Sequence, residues 1–408
     1  MTSELITDIG ELRTMDPADA DGPGTSDAAA ASVVRRDHAV VVEDGRIAWI
    51  GPAAGAPPAD HRTSVGGRAC LPGWVDSHTH LVFAGDRATE FVDRMAGRPY
   101  EAGGIMTTVA ATRNATGDEL GRSAAALVDE AVAQGTTTIE AKTGYGLDVD
   151  TELRLARIAA QVADVVTFLG AHVVPPGVDR RTYLDLVTGP MLDAVRPHVG
   201  FIDVFCESGA FSPDEARAVL LAGRAAGLGL RVHGNQLGET GGVALAVELG
   251  AASVDHCNHL SATDVDALAG SDTIATLLPA CDLSTRAPFA PARALVDAGA
   301  RIALASNCNP GTSFTSSMQF QVATAVLQQR LTLEEALGAA TLGGAAALRF
   351  DTGADAVGSI RVGGPADLQV VDAPTAAHIP YRIGTPLTAA VWRRGRRTTG
   401  VTAVGGPR

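Results

Sequence analysis

The chain has 408 residues, enough for one barrel of about 250 residues and a smaller companion. A formal net charge of −14 argues against nucleic acid or an anionic membrane surface as partner and leaves a small soluble substrate. Five widely spaced cysteines (Cys70, Cys206, Cys257, Cys281 and Cys308) with no C-x-x-C pair, no signal-peptide pattern after Met1, and no apolar run of about 18 residues predict a cytoplasmic protein with reduced thiols.

In chain order, residues 1–68 read as short strands. Leu5-Ile-Thr-Asp-Ile comes first, then Ala39-Val-Val-Val-Glu-Asp-Gly-Arg-Ile-Ala-Trp-Ile-Gly, whose Asp44-Gly45 pair marks a hairpin between alternating apolar positions. Residues 16–31, rich in Ala, Asp, Gly and Pro, read as a mobile loop. The C-terminal end returns to β character in Gly358-Ser-Ile-Arg-Val-Gly, Ala366-Asp-Leu-Gln-Val-Val-Asp and Ala390-Val-Trp-Arg-Arg-Gly. The expected organisation is a small β-sandwich domain built from both termini (1–68 with 355–408) around a central domain at 69–354.

That central part alternates short β-rich runs with Ala- and Leu-rich helical stretches, the pattern of βα units and a parallel sheet. Eight runs occur, at residues 74–80, 137–142, 165–172, 202–207, 230–233, 253–256, 273–279 and 302–307. Most end on a polar residue, which suits an α/β (β/α)₈ TIM-like barrel with its site at the C-terminal strand ends. A doubly wound sheet is the alternative, but it would gather polar ends at one crevice after a few strands only. The gap between the first two runs, 81–136, is unusually long and reads as a segment that closes over the site or a surface excursion with an extra helix.

His78-Thr79-His80 ends the first run, so both imidazoles point to one side of a strand. His233 ends the fifth run and His256 the sixth, and closing the barrel brings all four to one mouth. Three neutral imidazoles with an open position make a catalytic site for one divalent metal, Zn or Fe, which activates water for hydrolysis. Lys142 and Glu207 are also expected at the mouth. Asp255 can orient a ligand only if a bend turns it to the side of His256.

The run Leu71-Pro-Gly-Trp-Val-Asp-Ser-His-Thr-His-Leu resembles the opening motif of the metal-dependent amidohydrolase superfamily. Ala84-Gly-Asp-Arg-Ala-Thr-Glu-Phe, Gly103-Gly-Ile-Met-Thr-Thr-Val, Glu140-Ala-Lys-Thr-Gly-Tyr-Gly-Leu, Thr167-Phe-Leu-Gly-Ala-His, Asp203-Val-Phe-Cys-Glu and Asn307-Cys-Asn-Pro-Gly-Thr-Ser narrow the resemblance to the imidazolonepropionase family. It runs from Ile6 to about Gly384. The resemblance implies hydrolysis of the ring amide of 4-imidazolone-5-propanoate to N-formimino-L-glutamate in histidine degradation, and a homodimer. It places metal ligands at His78, His80 and His233, and substrate contacts at Arg87, Tyr145, His172, Gln236, Asn309, Gly311 and Thr312. It places His256 beside the metal, to polarise the scissile carbonyl or shuttle a proton.

Residue chemistry agrees with these roles. A guanidinium fork at Arg87 suits a propionate carboxylate better than a lysine would, although a solvated helix charge is the plainer reading. Tyr145 between two glycines can lean into a pocket or be a turn aromatic. His172 can donate to the substrate or be a core histidine, and Gln236, one helical turn past His233, can share its rim or lie on a helix surface.

One departure stands out. The superfamily carries an aspartate at the end of strand eight, as metal ligand and proton acceptor, where this chain has Asn307. An amide oxygen remains a possible ligand but takes no proton at neutral pH. Three readings follow: a binding-competent but weakened homologue, His256 serving as base, or a thiolate from Cys308, which should face the other side of the strand. An aminohydrolase acting on another heterocycle is the competing activity.

Overall fold

The structure, a computed structural model, describes residues 2–16, 18, 33–97 and 104–398. The expected mobile loop at 16–31 lies outside these residues apart from Asp16 and Ala18, as does Gly103. The described chain forms two compact units. One takes in residues up to Asp76, Glu130–Thr138 and Ser317 onward; the other takes in Ser77–Asp129 and Ile139–Ser316.

The first unit contains two sheets. Strands Arg46–Pro52, His38–Glu43, Ser3–Thr7 and His61–Ser64 form one, in that order; Arg396–Arg397, Thr388–Arg393, Leu368–Val371, Ala69–Pro72, Glu11–Arg13 and Val34–Arg35 form the other. Alternation explains their packing. Val40 and Val42 on one sheet share a buried cluster with Leu368, Val370, Ala390 and Trp392 on the other, each pair two residues apart and so on one face. Asp44 and Gly45 both have positive φ (48° and 81°), the geometry that a two-residue hairpin needs. Residues 358–363 form no ladder. Ile360 N donates to Thr14 O (2.7 Å), just past the strand Glu11–Arg13, and Gly363 N to Ile47 O (2.8 Å) in Arg46–Pro52.

An eight-stranded parallel sheet runs in chain order: β1 (Trp74–Asp76), β2 (Thr136–Lys142), β3 (Val165–Ala171), β4 (Phe201–Cys206), β5 (Gly229–Gly234), β6 (Ser253–His256), β7 (Ile274–Leu277) and β8 (Ile302–Leu304). Several strands are buried at every residue, as parallel strands covered on both faces are. The chain past β1 closes the barrel. Thr79 O accepts from Lys142 N (2.9 Å) on one side, while His78 O accepts from Asn307 N and His80 N donates to Cys308 O (both 3.0 Å) on the other. β1 therefore stops at Asp76 as a regular strand, yet residues 78–80 keep the strand-like alternation expected of them.

Helices follow the strands. Asp148 caps Val149–Val162 through Thr151 N, and Ser212 and Ser261 begin Pro213–Ala225 and Ala262–Ala269 with capping boxes. The 81–136 segment holds three helices: Ala88–Met95, Ile105–Asn114 and Gly117–Ala133. Trp392 is the largest side chain of the inter-sheet cluster, and its indole N–H donates to Glu4 Oε2 at 2.8 Å. Trp392→Ala should lower stability by roughly 3–5 kcal/mol in urea unfolding followed by circular dichroism; a loss under about 1 kcal/mol contradicts this packing.

Candidate active site

Strand alternation brings five charged side chains together at the C-terminal ends of β2, β4, β5 and β6. Lys142 Nζ lies 3.0 Å from Glu140 Oε1, 3.0 Å from Asp203 Oδ2 and 3.7 Å from Asp255 Oδ2. Arg231 Nη2 lies 3.1 Å from Asp255 Oδ2 and donates to Ser77 O at 2.7 Å. All five are fully buried. Three carboxylates against two cations leave one negative charge for a further cation to balance. Burial alone would raise both aspartates, but His233 and Lys142 beside Asp203, and Arg231, His78 and Lys142 beside Asp255, hold both below the usual carboxylate range.

This cluster orients imidazoles. Asp255 Oδ2 lies 2.6 Å from His78 Nδ1, which assigns the His78 proton to Nδ1 and leaves Nε2 bare. Asp203 Oδ2 lies 3.0 Å from His233 Nδ1, a contact off the line of a good hydrogen bond but close enough to favour the same tautomer. His233 Nε2 has no hydrogen-bond partner among the described residues. His80 Nε2 faces His78 Nε2 at 3.3 Å. Ligand-capable atoms of His78, His80 and His233 all lie within 4.8 Å of one another. Burial depresses His78 to about 3, helped by the Lys142 charge, and pushes His80 well down, helped by His78. The rings of His78 and His80 are therefore neutral near pH 7, as metal ligation requires.

These residues fit a divalent ion: three convergent imidazoles stand above an uncompensated negative charge. Asp203, His233 and Asp255 also offer ligand atoms within 4.8 Å of one another, but the ammonium of Lys142 already sits against both carboxylates. One ion at the imidazoles is what the donor set accommodates.

Asp255 and His256 are adjacent, so a regular strand would point them to opposite sides. His256 has φ of 84° and Cys257 of 58°, and this left-handed break delivers both side chains to the site. Asn307 has φ of 54° in the same situation beyond β8. Its Nδ2 donates to Thr312 Oγ1 at 3.3 Å, while its Oδ1 is buried without a hydrogen-bond partner among the described residues. Burial and His233 push His256 well below its ordinary value.

A cleft opens above. Among the residues singled out from sequence, His80, Arg87, Tyr145, His172, His233, Gln236, His256, Asn307, Asn309 and Thr312 line it. His78 lies beneath, fully buried. Gly311 does not line it; a Cβ there would come 2.2 Å from Arg87 Nη1, so its role is to make room for the guanidinium. The Asn309 amide is engaged in its own loop: Oδ1 accepts from Gly311 N (2.8 Å) and Thr312 N (2.9 Å), and Nδ2 donates to Asn307 O (2.8 Å). Arg87 gives its Nε and Nη2 to Glu90 at 2.7 and 2.6 Å, and its Nη1 packs against Gly311.

Two expectations change and one holds. Lys142 is not at the mouth but locked in the ionic cluster, because alternation from Glu140 turns it toward Asp203. Gln236 is not on a helical turn; Gly242–Glu248 is the next helix, and Gln236 lies in a bend whose backbone N–H donates to Glu207 Oε1. Cys308 does not line the cleft, as its strand position predicts. Glu140, Asp203 and Arg231 escaped sequence reasoning as parts of the site. The signal was present: Arg231 precedes His233 by two and Glu140 precedes Lys142 by two, so each pair shares a strand face. Phe205 was also missed; its ring centroid lies 6.0 Å from that of His233 and 6.2 Å from that of His172.

His172, whose Nδ1 lies 3.0 Å from Gly144 O, is depressed from 6.5 to about 4 by burial and then by His233. Between those values the unfolded chain holds a proton that the folded chain refuses. Stability is therefore fully present above pH 6.5 and declines as pH falls toward 4. In chelator-treated protein, His172→Asn should make the melting temperature fall less steeply over that window than in the wild type; parallel curves contradict the assignment.

Comparison with known proteins places this geometry. The model of the amidohydrolase family matches residues 69–402. An imidazolonepropionase of Saccharopolyspora erythraea is 64% identical over 400 residues, covering 98% of this chain and 100% of the relative. One from Arthrobacter sp. is 60% identical over 97% of this chain and 99% of its own. Among solved structures, a triazine hydrolase from Arthrobacter aurescens superimposes with a TM-score of 0.75 at 16% identity, covering 97% of this chain and 94% of its own. An adenosine deaminase from Xanthomonas campestris with bound zinc gives 0.68 at 21%, covering 97% and 92%. At such identities the structural likeness speaks for the fold alone.

Proposed function

This chain belongs to the amidohydrolase family, among the imidazolonepropionases, and on that premise we propose that it hydrolyses the ring amide of 4-imidazolone-5-propanoate to N-formimino-L-glutamate. The observation that carries the reading is a single cleft lined by both the convergent imidazoles and the Arg87 guanidinium. A substrate with a planar cyclic amide at one end and a carboxylate at the other needs both.

His78, His80 and His233 would hold one divalent metal, zinc or iron, with the Asn307 amide oxygen as a neutral fourth donor; three imidazoles suit either ion. When bound, such an ion supplies an acidified water and a Lewis acid for the carbonyl. The chain's own side chains do the rest. Arg87, on the cleft wall, holds the propionate with its guanidinium. Tyr145, His172 and Gln236 orient the ring, and Thr312 with the Asn309 loop frames the strand-eight side. His256, neutral and on the cleft wall, takes the proton released as the amide is attacked and returns it to the leaving nitrogen. That role falls to it because Asn307 accepts no proton.

The five cysteines are all buried and free of disulfides, and no helix among the described residues is long and apolar enough to cross a membrane. We infer a cytoplasmic protein from the reduced thiols and a homodimer from the family resemblance alone.

Loss of imidazolone absorbance in the presence of the purified chain, abolished by chelator and restored by Zn²⁺ or Fe²⁺, is the expected result. Tight substrate binding without turnover would instead make the chain a weakened, binding-competent homologue. Asn307→Asp should raise both kcat and metal affinity, with general-base catalysis worth about 10²- to 10⁴-fold. Unchanged turnover together with unchanged metal occupancy rules out the part assigned to position 307. Arg87→Lys should raise KM with kcat little altered, since a point charge keeps the attraction but loses the fork; an unaltered KM removes Arg87 from the carboxylate site.

A further inference from the structure

Glu152 belongs to no part of the chemistry described above, yet it is a fully buried carboxylate next to the cleft. Three backbone N–H groups from one short loop converge on it. Gly144 N donates to Oε2 at 3.0 Å, Gly146 N to Oε1 at 2.6 Å and Leu147 N to Oε1 at 3.0 Å. The loop is pressed against this residue, since a Cβ on Gly146 would come 2.7 Å from Glu152 N and 2.8 Å from Oε1.

The same loop carries two groups that face the cleft. Tyr145 lies between the clamped glycines, its ring centroid 5.5 Å from that of His172 and 6.0 Å from that of His80. Gly144 O accepts from His172 Nδ1 at 3.0 Å, which assigns the proton to that nitrogen and leaves Nε2 bare. Gly144 has φ of 113° and Leu147 of 58°, left-handed backbone that persists only when its surroundings over-determine it. On its far side, Gly146 O accepts from Arg113 Nε at 2.6 Å. Among the described residues, Glu152 is the one side chain that ties the N–H groups on both flanks of Tyr145.

We propose that Glu152 is a positioning residue, fixing Tyr145 and His172 against the substrate through the backbone of residues 144–147. The proposal rests on the reading that those two side chains contact the substrate. A carboxylate suits the task because both oxygens accept; an amide offers one acceptor and turns an N–H₂ toward a loop N–H.

Steady-state kinetics of Glu152→Gln on the metal-loaded enzyme tests it. KM should rise about tenfold, the loss of roughly one hydrogen bond to a charged acceptor, with kcat changed less than about threefold. Metal content should match the wild type. In a Tyr145→Phe/His172→Ala background the same substitution should have little further effect on KM, because the groups it acts through are gone. An unchanged KM in the single variant, an undiminished rise in the double background, or a joint loss of kcat and metal overturns the proposal. If Tyr145→Phe/His172→Ala itself keeps the wild-type KM, the cleft reading falls and the clamp with it; if that variant raises KM and Glu152→Gln does not, the clamp alone falls. Should Glu152→Gln not fold, Gly146→Ala displaces the loop from the opposite side, and the same rise in KM is expected; a wild-type KM there overturns the proposal.

Discussion

The site depends on one buried ionic contact set, the ammonium of Lys142 among Glu140, Asp203 and Asp255. Charges removed from water cost several kcal/mol each unless partners replace the solvent. Here the partners do two things at once: they satisfy the lysine, and they present carboxylate oxygens to the Nδ1 atoms of His78 and His233. Ring tautomer and direction follow, so the bare Nε2 atoms converge. Arg231 completes the set by tying Asp255 to the Ser77 carbonyl, one residue before His78. Removing either cation would leave two uncompensated negative charges in the interior.

Above that cluster, geometry is made by the backbone at the strand ends. Left-handed residues mark the ends of three strands: Asn235 directly after β5, His256 as the last residue of β6 with Cys257 after it, and Asn307 three residues beyond β8. These breaks end the parallel ladder and turn consecutive side chains to one side, which a continuing strand forbids. The Asn309 loop is held in a comparable way, its amide bonded to three of its own neighbours. The cleft is thus a set of short, bonded turns on a closed sheet, with side-chain positions settled before any substrate arrives.

Much of this was legible in the sequence. Polar residues ending apolar runs at 78–80, 233 and 256 marked the barrel mouth, and Asp44-Gly45 marked the hairpin. Other features were hidden because they depend on which strands become neighbours. Nothing local to Lys142 says that Asp203 and Asp255 will bracket its ammonium, and a strand reading of Asp255-His256 cannot supply the positive φ that turns both inward. Gln236 looked helical because spacing from His233 was counted as though a helix followed at once, whereas the backbone bends and pairs with Glu207 first. Residues 358–363 had strand composition, but Ile360 bonds Thr14, outside any strand, and Gly363 bonds Ile47, so composition did not become a ladder.

Asn307 sets this chain apart within the pattern: a neutral amide with an unpartnered buried oxygen stands where the resemblance calls for an acid. With that charge absent, the hold on a metal rests more heavily on imidazoles aligned by Asp203 and Asp255. The most direct test is a competitive metal-binding titration of Asp255→Asn against the wild type, with folding checked by circular dichroism. Loss of the orienting carboxylate should weaken metal affinity by roughly 10- to 100-fold in a folded protein; wild-type affinity in that variant would contradict the account.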